Sequence, residues 1–99
     1  MEIQILNVSN QPKGYYIVAN VFSKNENAVS FLSLMKGKGF DAKSFTNPIN
    51  NYQYIYFAKT DNEQEAINLY LSKMNNTYKD RIWILSVNNS TTLITDNDN

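Results

Sequence analysis

The sequence predicts an α+β fold in which a four-stranded antiparallel sheet carries two helices on one face. Four short segments have the alternation and composition of strands, and two segments have apolar residues at helical spacing. Along the chain these segments follow the order βαββαβ. Right-handed crossovers place both helices on the same side of such a sheet. We therefore expect a ferredoxin-like (RNP-like) domain with one covered and one open sheet face.

The strands are predicted near residues 15–22, 43–47, 52–58 and 82–87. The link at residues 48–51 should join the middle two strands as a hairpin, since Asn50 and Asn51 suit a tight turn.

A helix is predicted after the first strand and another after the third. Their apolar positions recur at helical spacing: Ala28, Phe31, Leu32 and Met35 in the first, and Ala66, Leu69, Tyr70 and Met74 in the second. Ser23 and Asp61 each open a sequence with the spacing of a capping box. Gly37 and Gly39 should end the first helix, and Asn75-Asn76 the second.

The face assignment starts from Tyr52, Tyr54 and Tyr56, which alternate along the third strand and so point the same way. Ile55 and Phe57 point the other way and supply a core face toward the helices. The side chains expected on the open face are Tyr16, Val18, Asn20, Phe45, Tyr52, Tyr54, Tyr56, Trp83 and Leu85. A change of register by one residue would bury Trp83 instead. An apolar patch of this size on a monomer indicates a ligand or a partner.

Length and composition limit the possible functions. The 99 residues suit one domain, expected at 14–87, with 1–13 as an N-terminal extension or edge strand and 88–99 as a flexible polar tail. Nine basic and nine acidic residues give a formal net charge of zero, which indicates no nucleic-acid partner. The sequence contains no His and no Cys, and no phosphate-binding glycine loop or carboxylate loop of metal-binding spacing. We expect no enzyme activity, no cofactor, no metal and no membrane-spanning segment.

An ordered set of short motifs resembles the SPOR family. The first strand and helix contain the motifs YYIVANVFS at 15–23, ENA at 26–28 and KGKGFDA at 36–42, and the second half contains YIYF at 54–57, EA at 65–66 and IWIL at 82–85. The match covers residues 14–87 and is most similar to modules of Bacteroidota envelope proteins, some of them associated with type IX secretion and gliding. In this family the position of a glycan-holding Gln is Val18 here, and the following Gly position is Asn20. The aromatic positions of the third and last strands are kept as Tyr52 and Trp83.

The resemblance implies a periplasmic or cell-envelope module, part of a larger protein or complex, that binds peptidoglycan glycan strands stripped of their stem peptides. The open sheet face would bind them. Two other functions use the same face. A protein–protein docking module of a secretion or gliding complex would bury it against an envelope partner. RNA binding would stack bases on it, but the basic and glycine positions of the RRM signature are absent.

Overall fold

A computed structural model describes residues 2–89, which form an α+β domain. Of the predicted flexible polar tail at 88–99, Asn88 is the last residue of β5, and residues 90–99 lie outside the described residues. The elements, in chain order, are β1 Ile3–Asn7, β2 Gly14–Phe22, α1 Asn25–Gly37, β3 Lys43–Thr46, β4 Gln53–Thr60, α2 Glu63–Leu71, α3 Lys73–Asn76 and β5 Trp83–Asn88.

The α+β class is confirmed, but the prediction of a four-stranded antiparallel sheet is wrong. Within residues 2–89 the sheet has five strands in the order β1-β5-β2-β4-β3 and is mixed. The four strands predicted from the sequence pair antiparallel with one another. The additional strand β1 lies parallel to β5, with Ile3 opposite Ile84 and Asn7 opposite Asn88. Of the two alternatives for residues 1–13, the structure therefore contains the edge strand.

The helix-side core confirms the face assignment. Ile17 and Ile55 are fully buried, and Phe57 stacks on Phe40 with ring centroids 4.7 Å apart. Helices α1 and α2 cover this face with Met35 and Ala66, both buried. Because the apolar residues of β4 alternate with its tyrosines, the helices and the tyrosines are kept on opposite sides of the sheet.

The helix ends follow the predicted signals only in part. The N-cap of α1 is Lys24, which makes no side-chain cap bond, so the capping box predicted at Ser23 is wrong. In α2 the cap lies one residue later than predicted, since Asn62 Oδ1 accepts a hydrogen bond of 2.9 Å from the Glu65 N–H. The C-terminus of α1 is as predicted: Gly39 has φ +91°, and its N–H donates to the Lys36 carbonyl as in a Schellman motif.

The short element α3 is a left-handed turn. All four of its residues have positive φ, between 53° and 66°. Such a backbone costs roughly 1–2 kcal/mol for each residue with a side chain. Two of the four are Asn75 and Asn76, a residue type that tolerates this conformation, and the Ser72 hydroxyl accepts from the Asn75 N–H at 3.0 Å. The turn packs Met74 against the helix-side core and directs the chain toward β5.

Candidate functional site: an aromatic sheet face

The sheet face opposite the helices carries a second cluster of apolar side chains, which we call the aromatic face. Its buried members are Leu6, Val8, Tyr16, Val18, Phe45, Trp83, Leu85 and Val87, and its partly buried members are Val21, Tyr54 and Tyr56. The rings contact one another across three strands. Tyr56 packs edge-on against Tyr16 at 4.9 Å between centroids, and Tyr54 stacks on Phe45 at 5.3 Å.

The aromatic face was expected to be open, but residues 8–12 cross it. We call this segment the strap. It leaves β1 at one edge of the sheet, and Asn10 reaches β3 at the other edge, where its amide donates to the Thr46 carbonyl at 3.4 Å. The Tyr16 hydroxyl donates to the Pro12 carbonyl at 2.5 Å, and the side chain of Asn89 donates to the carbonyls of Val8 and Gln11.

Burial removes four of the predicted site residues from contact with a ligand. Tyr16 is 1 % exposed, Val18 is fully buried, and Phe45 and Trp83 are each 7 % exposed. Trp83 lies on the predicted face of β5, as the predicted register requires. It is buried, however, where exposure was predicted. These side chains form a core under the strap, and the expectation that they are an exposed stacking platform is wrong.

Asn20 does not lie on the aromatic face, because the pairing of β2 with β4 is irregular. Val18 is opposite Tyr56, but Asn20, two residues later, is opposite Ile55. Residues directly opposite in an antiparallel pair share a face, so this bulge turns Asn20 toward the helix side. Its Oδ1 accepts a hydrogen bond from the Val21 N–H at 2.9 Å. The predicted outward position of Asn20 rested on unbroken alternation and is wrong.

The exposed remainder of the predicted site is the tyrosine row, which consists of Tyr52, Tyr54 and Tyr56. Tyr52, just before β4, is 42 % exposed, and the other two rings are partly buried. The tyrosine row is thus the part of the predicted platform that a ligand can reach.

The sequence reasoning missed Asn47, which holds the turn that leads into the tyrosine row. Asn47 is 3 % exposed. Its N–H donates to the Tyr52 carbonyl at 2.9 Å, its Oδ1 accepts from the Ile49 N–H at 2.9 Å, and its Nδ2 donates to the Tyr54 hydroxyl at 3.3 Å. The signal available in the sequence was the Asn-Pro dipeptide at 47–48, which is typical of a turn.

A small polar notch opens beside the aromatic face where β5 begins. It has a volume of about 250 Å³ and is lined by Glu2, Gln4, Ala19, Asn20, Val21, Arg81 and Trp83. Glu2 and Arg81 form an ion pair in it, and Gln4 donates to Glu2 at 2.9 Å. These opposite charges leave the notch without a net charge.

The opposite end of β2 borders a larger cleft of about 640 Å³, between Gly14, Ser86 and Asp61. The Lys59 Nζ lies 2.7 Å from the Asp61 Oδ1. The hydrogen bond between them raises the pKa of the Lys59 ammonium and lowers the pKa of the Asp61 carboxyl. Both groups are at the surface, and the pair contributes little to stability.

Burial raises the pKa of the Tyr16 and Tyr78 phenols. Residues 2–89 contain no cluster of three or more His, Cys, Asp or Glu side chains that could hold a metal ion. None of the described helices is long and apolar enough to cross a membrane.

No protein-family model, curated protein or solved structure matches the chain. The tyrosine row and its surroundings are therefore the basis for a proposed function.

Proposed function

We propose that the chain is a non-catalytic binding module for glycan strands, and specifically a SPOR-like module that binds peptidoglycan glycan strands in the cell envelope as part of a larger protein or complex. The observation that carries the proposal is the tyrosine row. Tyr52 is 42 % exposed, and Tyr54 and Tyr56 are partly buried, whereas the other aromatic rings of this face are buried.

Sugar rings suit such a surface because their apolar faces stack on aromatic rings and their hydroxyls bond to the ring edges. Tyr52, Tyr54 and Tyr56 supply both the rings and the phenol groups. The buried rings beneath them keep Tyr54 and Tyr56 in place, so little side-chain freedom is lost on binding. The neutral balance of charge in the chain disfavours a densely charged polyanion such as a nucleic acid.

Sedimentation with purified peptidoglycan tests the proposal. We expect the full chain to sediment with sacculi, and to do so more strongly after amidase treatment removes the stem peptides. Tyr52→Ala should weaken the binding about three- to tenfold, because stacking of one ring is worth roughly 1–3 kcal/mol for a base and less for a sugar. Leu71→Ala is the matched control, since Leu71 is 67 % exposed and lies away from the tyrosine row.

Two results would contradict the proposal: wild-type protein that does not sediment with amidase-treated sacculi, or a Tyr52→Ala variant that binds them as wild type does. Salt provides a second criterion. Binding should change little between low and moderate ionic strength, because the nine basic and nine acidic residues of the chain balance. A steep fall in affinity with salt would indicate a densely charged polyanion instead.

The second candidate function is a protein–protein docking module of an envelope complex. The observation that favours it is the outer edge of β1, where Ile5 is 73 % exposed and Ile3 is 37 % exposed. Loss of an envelope protein partner by the Ile5→Lys variant, with unchanged binding to sacculi, would support docking through this edge.

A further inference from the structure

We propose that the outer edge of β1 is a self-association site, where β1 pairs antiparallel with β1 of a second copy of this chain. The pairing would join two five-stranded sheets into one continuous sheet. It is independent of the proposed glycan binding, since β1 and the tyrosine row lie on opposite sides of β2 in the strand order.

Two hydrogen bonds define which backbone groups of β1 face outward. The Ile84 N–H donates to the Glu2 carbonyl, and the Val8 N–H donates to the Asn88 carbonyl. The backbone groups of Glu2 and Val8 therefore point to β5, and so do those of the even-numbered residues between them, because strands have a period of two. The N–H and C=O groups of Ile3, Ile5 and Asn7 point away from β5, where no strand within residues 2–89 pairs with them.

The edge of β1 lacks the features that protect sheet edges from association. The strand Ile3–Asn7 contains no charged residue and no proline. Exposed strand edges normally carry Lys or Pro, are very short, or are covered. The other edge of this sheet does have such features, since β3 is four residues long, begins with the exposed Lys43 and is followed closely by Pro48.

The strand is complementary to itself. A two-fold axis at Ile5 pairs all five residues, with Ile5 opposite Ile5 of the second copy and Ile3 opposite Asn7. In this register every outward N–H and C=O group of β1 finds a partner. The absence of charge on this strand favours a second copy over a charged partner. No like charges meet across the uncharged strand, the Glu2–Arg81 ion pair is internal to each copy, and the chain has no net charge.

The small size of the contact predicts weak association. Five paired residues in each copy are far fewer than the roughly 20–30 residues a side of a standard stable interface. The new contacts are confined to the backbone hydrogen bonds of the strand edge and to the exposed Ile3 and Ile5 side chains. We therefore expect a dissociation constant on the order of 0.1–1 mM for the isolated chain.

Dimer formation would have one consequence for the glycan site, and this consequence alone depends on the proposed function. A two-fold axis perpendicular to the sheet keeps both aromatic faces on the same side. The two tyrosine rows would then lie about 34 Å apart, which is seven strand spacings of about 4.8 Å. A long polymer could bridge them and be held more tightly than by one row.

Sedimentation velocity of the full chain at increasing concentration tests the self-association. Wild-type protein should move from monomer to dimer toward millimolar concentration. Ile5→Lys should weaken dimerisation at least tenfold, since it opposes two like charges at the axis. Ile49→Lys is the matched control, because Ile49 is also 73 % exposed but lies in the turn between β3 and β4. It should dimerise as wild type does.

A cysteine cross-link tests the register, and the chain has no cysteine of its own to interfere. Ile5→Cys should form an intermolecular disulfide under mild oxidation, because the Cα atoms of a hydrogen-bonded antiparallel pair lie about 5.5 Å apart. Ile49→Cys should not. Wild-type protein that stays monomeric at millimolar concentration, or Ile5→Lys and Ile49→Lys variants that behave alike, would overturn the proposal. Neither result depends on whether the chain binds sacculi.

Discussion

The burial of Trp83 makes a sharp prediction about stability. The ring is 7 % exposed and packs edge-on against Tyr54, with 6.2 Å between the ring centroids. Val18, directly opposite on β2, is fully buried. Truncation by Trp83→Ala leaves a cavity in this core, and buried aromatic-to-alanine changes cost about 3–5 kcal/mol.

That loss is large for a domain of this size. Total stabilities of small domains are about 5–15 kcal/mol, and each kcal/mol shifts the melting temperature of a 60–100-residue domain by roughly 4–8 °C. We therefore expect Trp83→Ala to lower the Tm by at least about 12 °C. Far-UV circular dichroism is the suitable assay, since the substitution removes the single tryptophan that fluorescence would report.

Tyr52→Ala is the comparison within the same predicted site. Its ring is 42 % exposed, so removal should change the free energy of unfolding by no more than about 0.5 kcal/mol and the Tm by less than about 4 °C. A Trp83→Ala variant that melts within a few degrees of wild type would show that the aromatic face is not a core. Equal losses for both variants would show that Tyr52 belongs to the core too.

Three further predictions concern the turn, a glycine and alkaline pH. Asn47→Ala should cost about 1–3 kcal/mol in urea unfolding, because the Ile49 N–H and the Tyr54 hydroxyl both lose their hydrogen-bond partner on the Asn47 side chain; a change below about 0.5 kcal/mol would contradict its role. Gly14→Ala should destabilise by about 1–3 kcal/mol, since its φ of +152° is one that residues with a side chain rarely adopt and a Cβ would lie 3.1 Å from the Thr60 carbonyl oxygen, whereas Gly37→Ala, with no atom within 4 Å, should not destabilise. Burial raises the pKa of Tyr16 and Tyr78 above the unfolded value of 10.0, so the folded state keeps protons that the unfolded state loses. The stability that these two phenols contribute should be constant below about pH 10 and fall as pH rises above it, and an unchanged urea midpoint between pH 8 and pH 11 would contradict this.

The local sequence pattern determined four of the five described strands and the two longer helices, and which way most of them face. Alternation in β4 separated Ile55 and Phe57 from Tyr54 and Tyr56 onto opposite sides, and the structure keeps that separation. The glycine at position 39 ended α1 where predicted. These features depend on residues that are neighbours along the chain, so the period of the side chains is enough to predict them.

The tertiary structure alone decided which predicted site residues a ligand can reach. Strand β1 pairs with β5, some eighty residues away along the chain, and the strap that follows β1 crosses the aromatic face and bonds to the Tyr16 hydroxyl. Trp83 is buried in the same cluster. No local period specifies so distant a pairing. The bulge that turns Asn20 to the helix side is likewise a property of two paired strands and not of either strand alone. The sequence therefore predicted an aromatic face, whereas the packing of distant segments reduced its accessible part to the tyrosine row.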